Sequence, residues 1–435
     1  MFTMLRRLST VLFGFVSFFI LIRIVSKEEF GSWVVFVSIT ALIETLRNGF
    51  FRNAVVKFTA DAERNDYPKV FTSAFVMNII LTLVISVILV LASPALASLL
   101  NTPLLEQLLY LYAITNIVYS FFSHFEYLSI AHLDFRSSFY GYLIKQLSFV
   151  LYILASLALG FHIDIINLGG FQILSTLFGA LTLFWLSKRH LQYSFEIDKK
   201  LIVKMFNFSK YTFAANLTSM IFGNVDQWML SSLISPVAVG IYNPALRMNN
   251  LIEVPTWSIT AIVFPQLSRR IKEEGVGAIK YLYEKSVGLI LSIIVPAIML
   301  ILIFAEEVIY IIAGSGYEES VSILRVTMLY CLFIPFGRQF GVVMDAIGKP
   351  HLSLIFLMIQ LVLNIVSNYV FISYFGTVGA AYGTLLTFMS GFLINQIYLN
   401  RKFNIQFWMT LSHGFNFYSE GFDFVKKKYL SITKK

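Results

Sequence analysis

Cysteine is nearly absent from this chain: Cys331 is the only one among 435 residues. No internal disulfide can form, and the multi-thiolate clusters that hold zinc or iron–sulfur centres are excluded. The six histidines (His124, His132, His162, His190, His351 and His413) are scattered without HExxH or other ligand spacing, so no metal site is expected. No GxxxxGK[ST] loop is present to cradle nucleotide phosphates, and no catalytic constellation or bound cofactor can be read from the residues. Charge is scarce too. Asp, Glu, Lys and Arg make up 13% of the chain, against roughly 25% in a soluble domain.

What is abundant is apolar surface, at 57% of residues. Runs such as "VFTSAFVMNIILTLVISVILVLASPALASLL" exceed the roughly 20 apolar residues that cross a bilayer. The chain therefore reads as an all-α polytopic membrane protein, because a helix satisfies its own backbone groups in lipid. The short alternating segments of a β-barrel are missing. Twelve spans are expected, at 8–26, 30–51, 70–99, 104–130, 141–161, 164–187, 205–233, 237–264, 282–305, 321–345, 352–374 and 377–399. The first follows a basic "MFTMLRR", but no small-residue cleavage site comes after it, so it reads as a retained helix and not a signal peptide.

Basic residues sort by side. Arg6, Arg7, Arg52, Lys57, Arg136, Lys188, Arg189, Arg269, Arg270, Lys272, Lys349, Arg401 and Lys402 fall in the even-numbered loops or at the two ends, whereas the odd loops carry little beyond Lys27. The positive-inside rule then places both termini in the cytoplasm. The tail from 401, with aromatics interleaved among lysines, suits either a segment lying on anionic membrane lipids or a solubilising extension.

A shift of 209 residues places Gly14 on Gly223, Gly31 on Gly240, Gly170 on Gly379 and the "LIE" at 42–44 on the "LIE" at 251–253. The same shift maps the first six spans onto the last six with orientation kept, which predicts two six-helix lobes related by a parallel repeat around a central cavity. The expected organisation is a first lobe at 1–190, a linker at 191–204, a second lobe at 205–400 and a basic aromatic tail at 401–435.

Ionisable residues inside spans cost about 2.5–3.5 kcal/mol each on insertion scales, so they usually face a cavity or a partner. Glu44 and Arg47 lie three apart in the second span; Asn243, Arg247 and Asn250 follow helical spacing in the eighth, with Glu253 close behind. Asp226 in the seventh span stands at the depth of Arg247 and could clasp it. Arg23 near the end of the first span and the amides Asn216 and Asn224 of the seventh complete the candidate cavity set. Each charge also has a plain structural reading, as an interfacial anchor, an intrahelical pair or a clasp between helices.

"DQWMLSSLISPVAVGIYNPALRMNNLIEVPTWSITAIVFPQLSR" at 226–269, followed by "MDAIGKPHLSL" and "FGTVGAAYGTLLT", resembles the polysaccharide flippases of the multidrug/oligosaccharidyl-lipid/polysaccharide exporter superfamily. With the twelve-span plan, the likeness covers almost the whole chain. The resemblance implies a carrier and not an enzyme. The implied substrate is an undecaprenyl-pyrophosphate-linked oligosaccharide repeat unit, moved from the inner to the outer leaflet of a bacterial cytoplasmic membrane for surface polysaccharide such as O-antigen. It also implies coupling to H+ or Na+ in some members, and work beside a polymerase or export machinery; nucleic acid has no place in it. Arg23, Arg47 and Arg247 would supply a cationic cavity, since the guanidinium fork binds phosphate oxygens at two points. The alternative is an ion-coupled multidrug or cation antiporter of the same superfamily, which would favour an acidic cavity. Three arginines against Asp226, Glu44 and Glu253 do not separate the two.

Overall fold

The computed structural model describes residues 2–60, 66–192, 194, 196, 198–275 and 277–418. Among these residues the chain is helical throughout and has no strand. The helices are α1 (Phe2–Ile24), α2 (Lys27–Arg47), α3 (Asn53–Ala60), α4 (Tyr67–Leu99), α5 (Leu104–Ala131), α6 (Phe135–Ala158), α7 (Ile165–Ser187) and α8 (Lys199–Leu233). They continue as α9 (Pro236–Ile252), α10 (Val254–Glu274), α11 (Gly277–Ile303), α12 (Ala305–Ala313), α13 (Glu319–Cys331), α14 (Ile334–Ala346), α15 (Pro350–Phe375) and α16 (Thr377–Phe403). Residues 407–418 form a further helix, the tail helix.

Ten of these segments are long and apolar enough to cross a membrane, with α13 and α14 counted as one. They occupy the places of ten of the twelve expected spans. The expected seventh span is α8. The expected eighth is two helices, α9 and α10, that meet at Glu253. Pro255 sits in the first turn of α10, where its missing N–H costs no intrahelical bond, and Pro244 and Pro265 lie inside the two helices. The short helix α12 fills what reads in the sequence as a loop.

Local chemistry fixes the helix starts. Ser26 and Glu29 form a reciprocal capping box at the start of α2. Asp134 and Asp164 cap α6 and α7 by accepting from the N–H groups of Ser137 and Ile166. Beyond Arg47 the chain winds for five residues, Asn48–Arg52, as a π-helix before α3 resumes. Such single-turn bulges commonly mark functional positions.

By internal contacts the chain forms two compact units, Met1–Gly240 and Ile241–Lys435. In the first, α5 packs against α4 and α7, α6 against α7 and α1, and α2 against α8. Its interior includes Leu105, Leu108 and Leu109 of α5 and Ile165, Leu168 and Leu183 of α7, all fully buried. In the second, α15 pairs with α16 and α10 packs against α11 and α14. The α15–α16 pair is joined by a polar contact suited to a bilayer: Asn364 of α15 donates to Thr384 of α16 at 3.0 Å, and Asn368 one turn on donates back to Asn364 at 3.4 Å. Leu91, Ile303 and Val362 are among the exposed large apolar side chains, an arrangement that lipid accepts.

The described part of the tail is ordered against the second unit. Asn404 adopts a left-handed conformation, and Ile405 is fully buried, its carbonyl accepting from Gln396 and Asn400. The Gln406 N–H then donates to buried Glu284 at 2.9 Å. The tail helix crosses α11 at two glycines. A β-carbon on Gly288 would stand 2.4 Å from the Thr410 carbonyl oxygen, and one on Gly414 3.0 Å from that of Gly288. Residues 419–435, the rest of the expected tail, lie outside the described residues.

Candidate functional site

The first unit gathers charge around one tyrosine. Arg47, from the last turn of α2, is fully buried. Its guanidinium donates to the side-chain oxygen of Asn116 on α5 and, at 3.5 Å, to the Asn116 carbonyl. It also lies 5.2 Å from the Tyr119 ring centroid. Lys145 of α6 approaches the same ring at 4.7 Å and the Phe122 ring at 5.4 Å. Glu44, one turn before Arg47 on α2, stands 4.0 Å from the Lys145 ammonium. Thus two cations share the electron-rich ring of Tyr119, an arrangement aromatic rings favour electrostatically. One carboxylate answers them.

The partners differ from an intrahelical Glu44–Arg47 pair. Arg47 has no ion-pair partner among the described residues, and its Nε makes no hydrogen bond there. A buried guanidinium held only by an amide and a ring keeps most of its charge uncompensated. Asn116 is itself fixed, donating to the Thr82 carbonyl at 3.3 Å and to Ser86 Oγ at 2.9 Å. Beside Arg47, Tyr127 donates to Asn48 at 2.7 Å at the start of the π-turn, and the Asn216 amide packs against Gly49 within it.

A second cluster lies further along α5 and α6. Glu126, buried, pairs with Arg6 of α1 and accepts from Tyr142 at 3.0 Å. Arg6 also donates to Ser138 at 3.0 Å and stands 5.0 Å from the Tyr142 ring centroid. This ties α1, α5 and α6 together. Lys145 and Glu126 were within reach of sequence reasoning, because both fall inside expected spans, but each lies close to a span end where charge reads as interfacial.

Of the other candidate residues, Arg23 is exposed, with its guanidinium 3.6 Å from the ring centroid of Phe19 on its own helix. Asn224 donates back to the Met220 carbonyl at 2.8 Å. Asp226 is buried near the end of α8 in the first unit, whereas Arg247 belongs to the second. On α9, Asn243 is buried, Arg247 half-buried and Asn250 exposed, so the polar stripe runs from the interior to the surface. Asn249, which the sequence did not single out, is buried and donates to the Tyr330 hydroxyl.

Glu253 joins a cluster of its own within the second unit. Arg338 of α14 stacks over the Trp257 indole at 3.7 Å and reaches Glu253 Oε2 at 3.7 Å, and Trp257 Nε1 donates to the same oxygen at 3.2 Å. A cavity of about 830 Å³ opens beside α12, with Glu306, Glu307 and Glu318 on its wall facing Arg325. None of the candidate residues lines it, and its wall is mainly acidic.

The architecture is that of a known transporter fold. It matches an inward-facing multidrug resistance MATE family transporter of the MOP superfamily, with a TM-score of 0.79 over 91% of this chain and 94% of that one at 16% identity. It matches the lipid II flippase MurJ, inward closed, with a TM-score of 0.79 over 95% of this chain and 90% of that one, also at 16% identity. The polysaccharide biosynthesis protein family matches residues 20–322, and the chain belongs to that family. Among curated proteins it is similar to the probable low-salt glycan biosynthesis flippase Agl15 of Haloferax volcanii, 25% identical over 48% of this chain and 45% of that protein. The match thus spans about half the length of this relative.

Proposed function

We propose that the protein is a flippase and not an enzyme. It moves undecaprenyl-pyrophosphate-linked oligosaccharide repeat units from the inner to the outer leaflet by alternating access. Membership of the polysaccharide biosynthesis family and the likeness to a glycan flippase support the class. The observation that carries the substrate is the pair of cations on Tyr119. Arg47 and Lys145 outnumber Glu44, and a pyrophosphate needs such a surplus at the point where its own hydration is lost. A drug or cation antiporter would need the reverse balance. The orientation proposed is both termini inside, from the distribution of basic residues. A cytoplasmic membrane setting and a working association with glycan-polymerising machinery belong to the same proposal, as does coupling to an H+ or Na+ gradient.

The test is complementation of surface glycan export in a flippase-deficient strain, together with assay of the lipid-linked precursor. Lys145→Gln at normal abundance should abolish export and accumulate precursor on the inner leaflet, whereas Lys145→Arg should retain part of it. Full export by Lys145→Gln would overturn the assignment.

A further inference from the structure

The break between α9 and α10 exposes an aromatic surface with polar groups at its edge. Glu253 stands at the N-terminus of α10, and Trp257 follows one turn on. Trp257 is 54% exposed although Arg338 stacks on its indole. Both polar contacts of the Glu253 carboxylate fall on Oε2. Its Oε1 is left to accept another hydrogen bond, and Arg338, partly exposed, retains donors beyond its single contact to Glu253.

This combination suits a sugar. A pyranose presents an apolar C–H face that packs on an indole, and hydroxyls around its rim that need an acceptor and a donor in fixed places. A charged acceptor and donor make hydrogen bonds roughly twice as strong as neutral ones. An interfacial tryptophan that merely anchors a helix in the headgroup region would account for the exposure. It would not account for a guanidinium and a carboxylate locked to the same ring.

We propose that Glu253, Trp257 and Arg338 form a carbohydrate subsite, which takes one pyranose of the glycan head group on the indole and holds its hydroxyls on Glu253 Oε1 and Arg338. The proposal rests on the flippase reading and adds to it the part of the substrate that the second unit recognises. The Arg338 stack also fixes the indole plane, so the platform exists before the sugar arrives. In the proposed orientation, Arg338 lies about two turns before the cytoplasmic end of α14 at Ala346, on the side from which a cytoplasmically assembled glycan would load.

The test uses the full chain in lipid nanodiscs and two probes: the glycan-bearing carrier extracted from producing cells, and bare undecaprenyl pyrophosphate. The wild type should bind the glycan-bearing form at least about tenfold more tightly, the range that a single anchoring residue supplies. Trp257→Ala and Glu253→Gln should reduce that preference to under about threefold and leave the affinity for the bare carrier unchanged, while Trp257→Phe keeps part of it. Retained binding of the bare carrier shows that each variant is folded. A Trp257→Ala protein that keeps the full preference would overturn the subsite and leave Trp257 as an anchor. A wild type that binds both probes equally would overturn it as well. A wild type that binds neither would instead overturn the flippase reading.

Discussion

Gly31 of α2 and Gly240 in the second turn of α9 face each other reciprocally. A β-carbon on Gly31 would stand 1.8 Å from the Pro236 carbonyl oxygen, and one on Gly240 2.6 Å from the Lys27 carbonyl oxygen. Gly31 and Gly240 are 209 residues apart, and so are Lys27 and Pro236. Each glycine therefore meets the repeat equivalent of the residue that the other meets. The caps repeat as well: Ser26 accepts from the Glu29 N–H and Ser235 from the Ala238 N–H, again at the same offset. A spacing coincidence would not reproduce both a contact and a cap.

Gly31→Ala should therefore destabilise the protein by about 1–3 kcal/mol, because the methyl group meets backbone and not a movable side chain. Gly240→Ala should cost a similar amount. The double substitution should cost less than the sum, since one separation of the two helices relieves both clashes. Thermal unfolding in detergent measures this. Strictly additive losses would mean that the two positions yield independently.

The sequence exposes Arg47 because a guanidinium in an apolar run has few explanations, but it does not expose the α9–α10 break, which falls inside one expected span at 237–264. It does not expose Asn116 or Tyr119. A neutral amide and a phenol in a membrane helix carry no cost large enough to stand out, and only the packing of α5 against α2 shows that they hold the charge. Which carboxylate answers which cation was also not legible. Glu44 and Arg47 share a helix face, yet Lys145 arrives from 101 residues further along the chain to take Glu44.

Asn116→Ala should be among the more damaging neutral substitutions in the first unit. It strips Arg47 of its side-chain acceptor, and a lost hydrogen bond to a buried charged group costs about 1.5–3 kcal/mol. The double variant Asn116→Ala with Arg47→Met should recover much of the lost abundance but no transport. Recovery of transport in that double variant would show Arg47 to be structural only.

Asp134 links stability to acid. It lies between α5 and α6, outside the spans, where burial pushes its carboxyl up, but the Ser137 hydroxyl, the Ser137 N–H and Arg189 more than reverse this, so it sits below the usual value. A carboxylate whose folded value is depressed stabilises the fold at pH above its unfolded value of about 3.9, and that contribution is lost as pH falls through the folded value. Asp134→Asn should lower stability at neutral pH and shrink the gap to the wild type below about pH 4. Unfolding temperatures taken at a series of pH values check it; a gap that stays constant in acid would refute the linkage.

The tail helix is predicted to be part of the folded second unit. Gly414→Leu places a branched side chain against Gly288 backbone, where even a β-carbon would stand 3.0 Å from the carbonyl oxygen. The helix should then leave α11 and expose Ile405, Thr410 and the amides around Gln406. Hydrogen exchange at 407–418 should rise markedly in the variant, with α15 and α16 unchanged. Equal protection in both proteins would mean that the crossing relaxes without undocking.

Glu44 decides how strongly Lys145 is held before substrate arrives. At 4.0 Å, two unit charges attract by about 4 kcal/mol at an effective dielectric of 20, but partly exposed pairs net only about 0–1 kcal/mol after desolvation and ordering. Both groups are partly exposed, so the lower figure governs and Glu44→Gln should leave the fold intact. The same substitution frees Lys145 from its competitor, so an anionic head group should bind up to about fivefold more tightly, the factor that corresponds to about 1 kcal/mol. Tighter capture need not speed transport, because release depends on Glu44 taking Lys145 back. Export by Glu44→Gln should therefore fall even as pyrophosphate affinity rises. The exchange variant, Glu44→Lys with Lys145→Glu, keeps the pair but moves the cation from Tyr119 and Phe122 to α2. If that variant binds the head group as the wild type does, the position of the cation over the aromatic rings has no role in recognition.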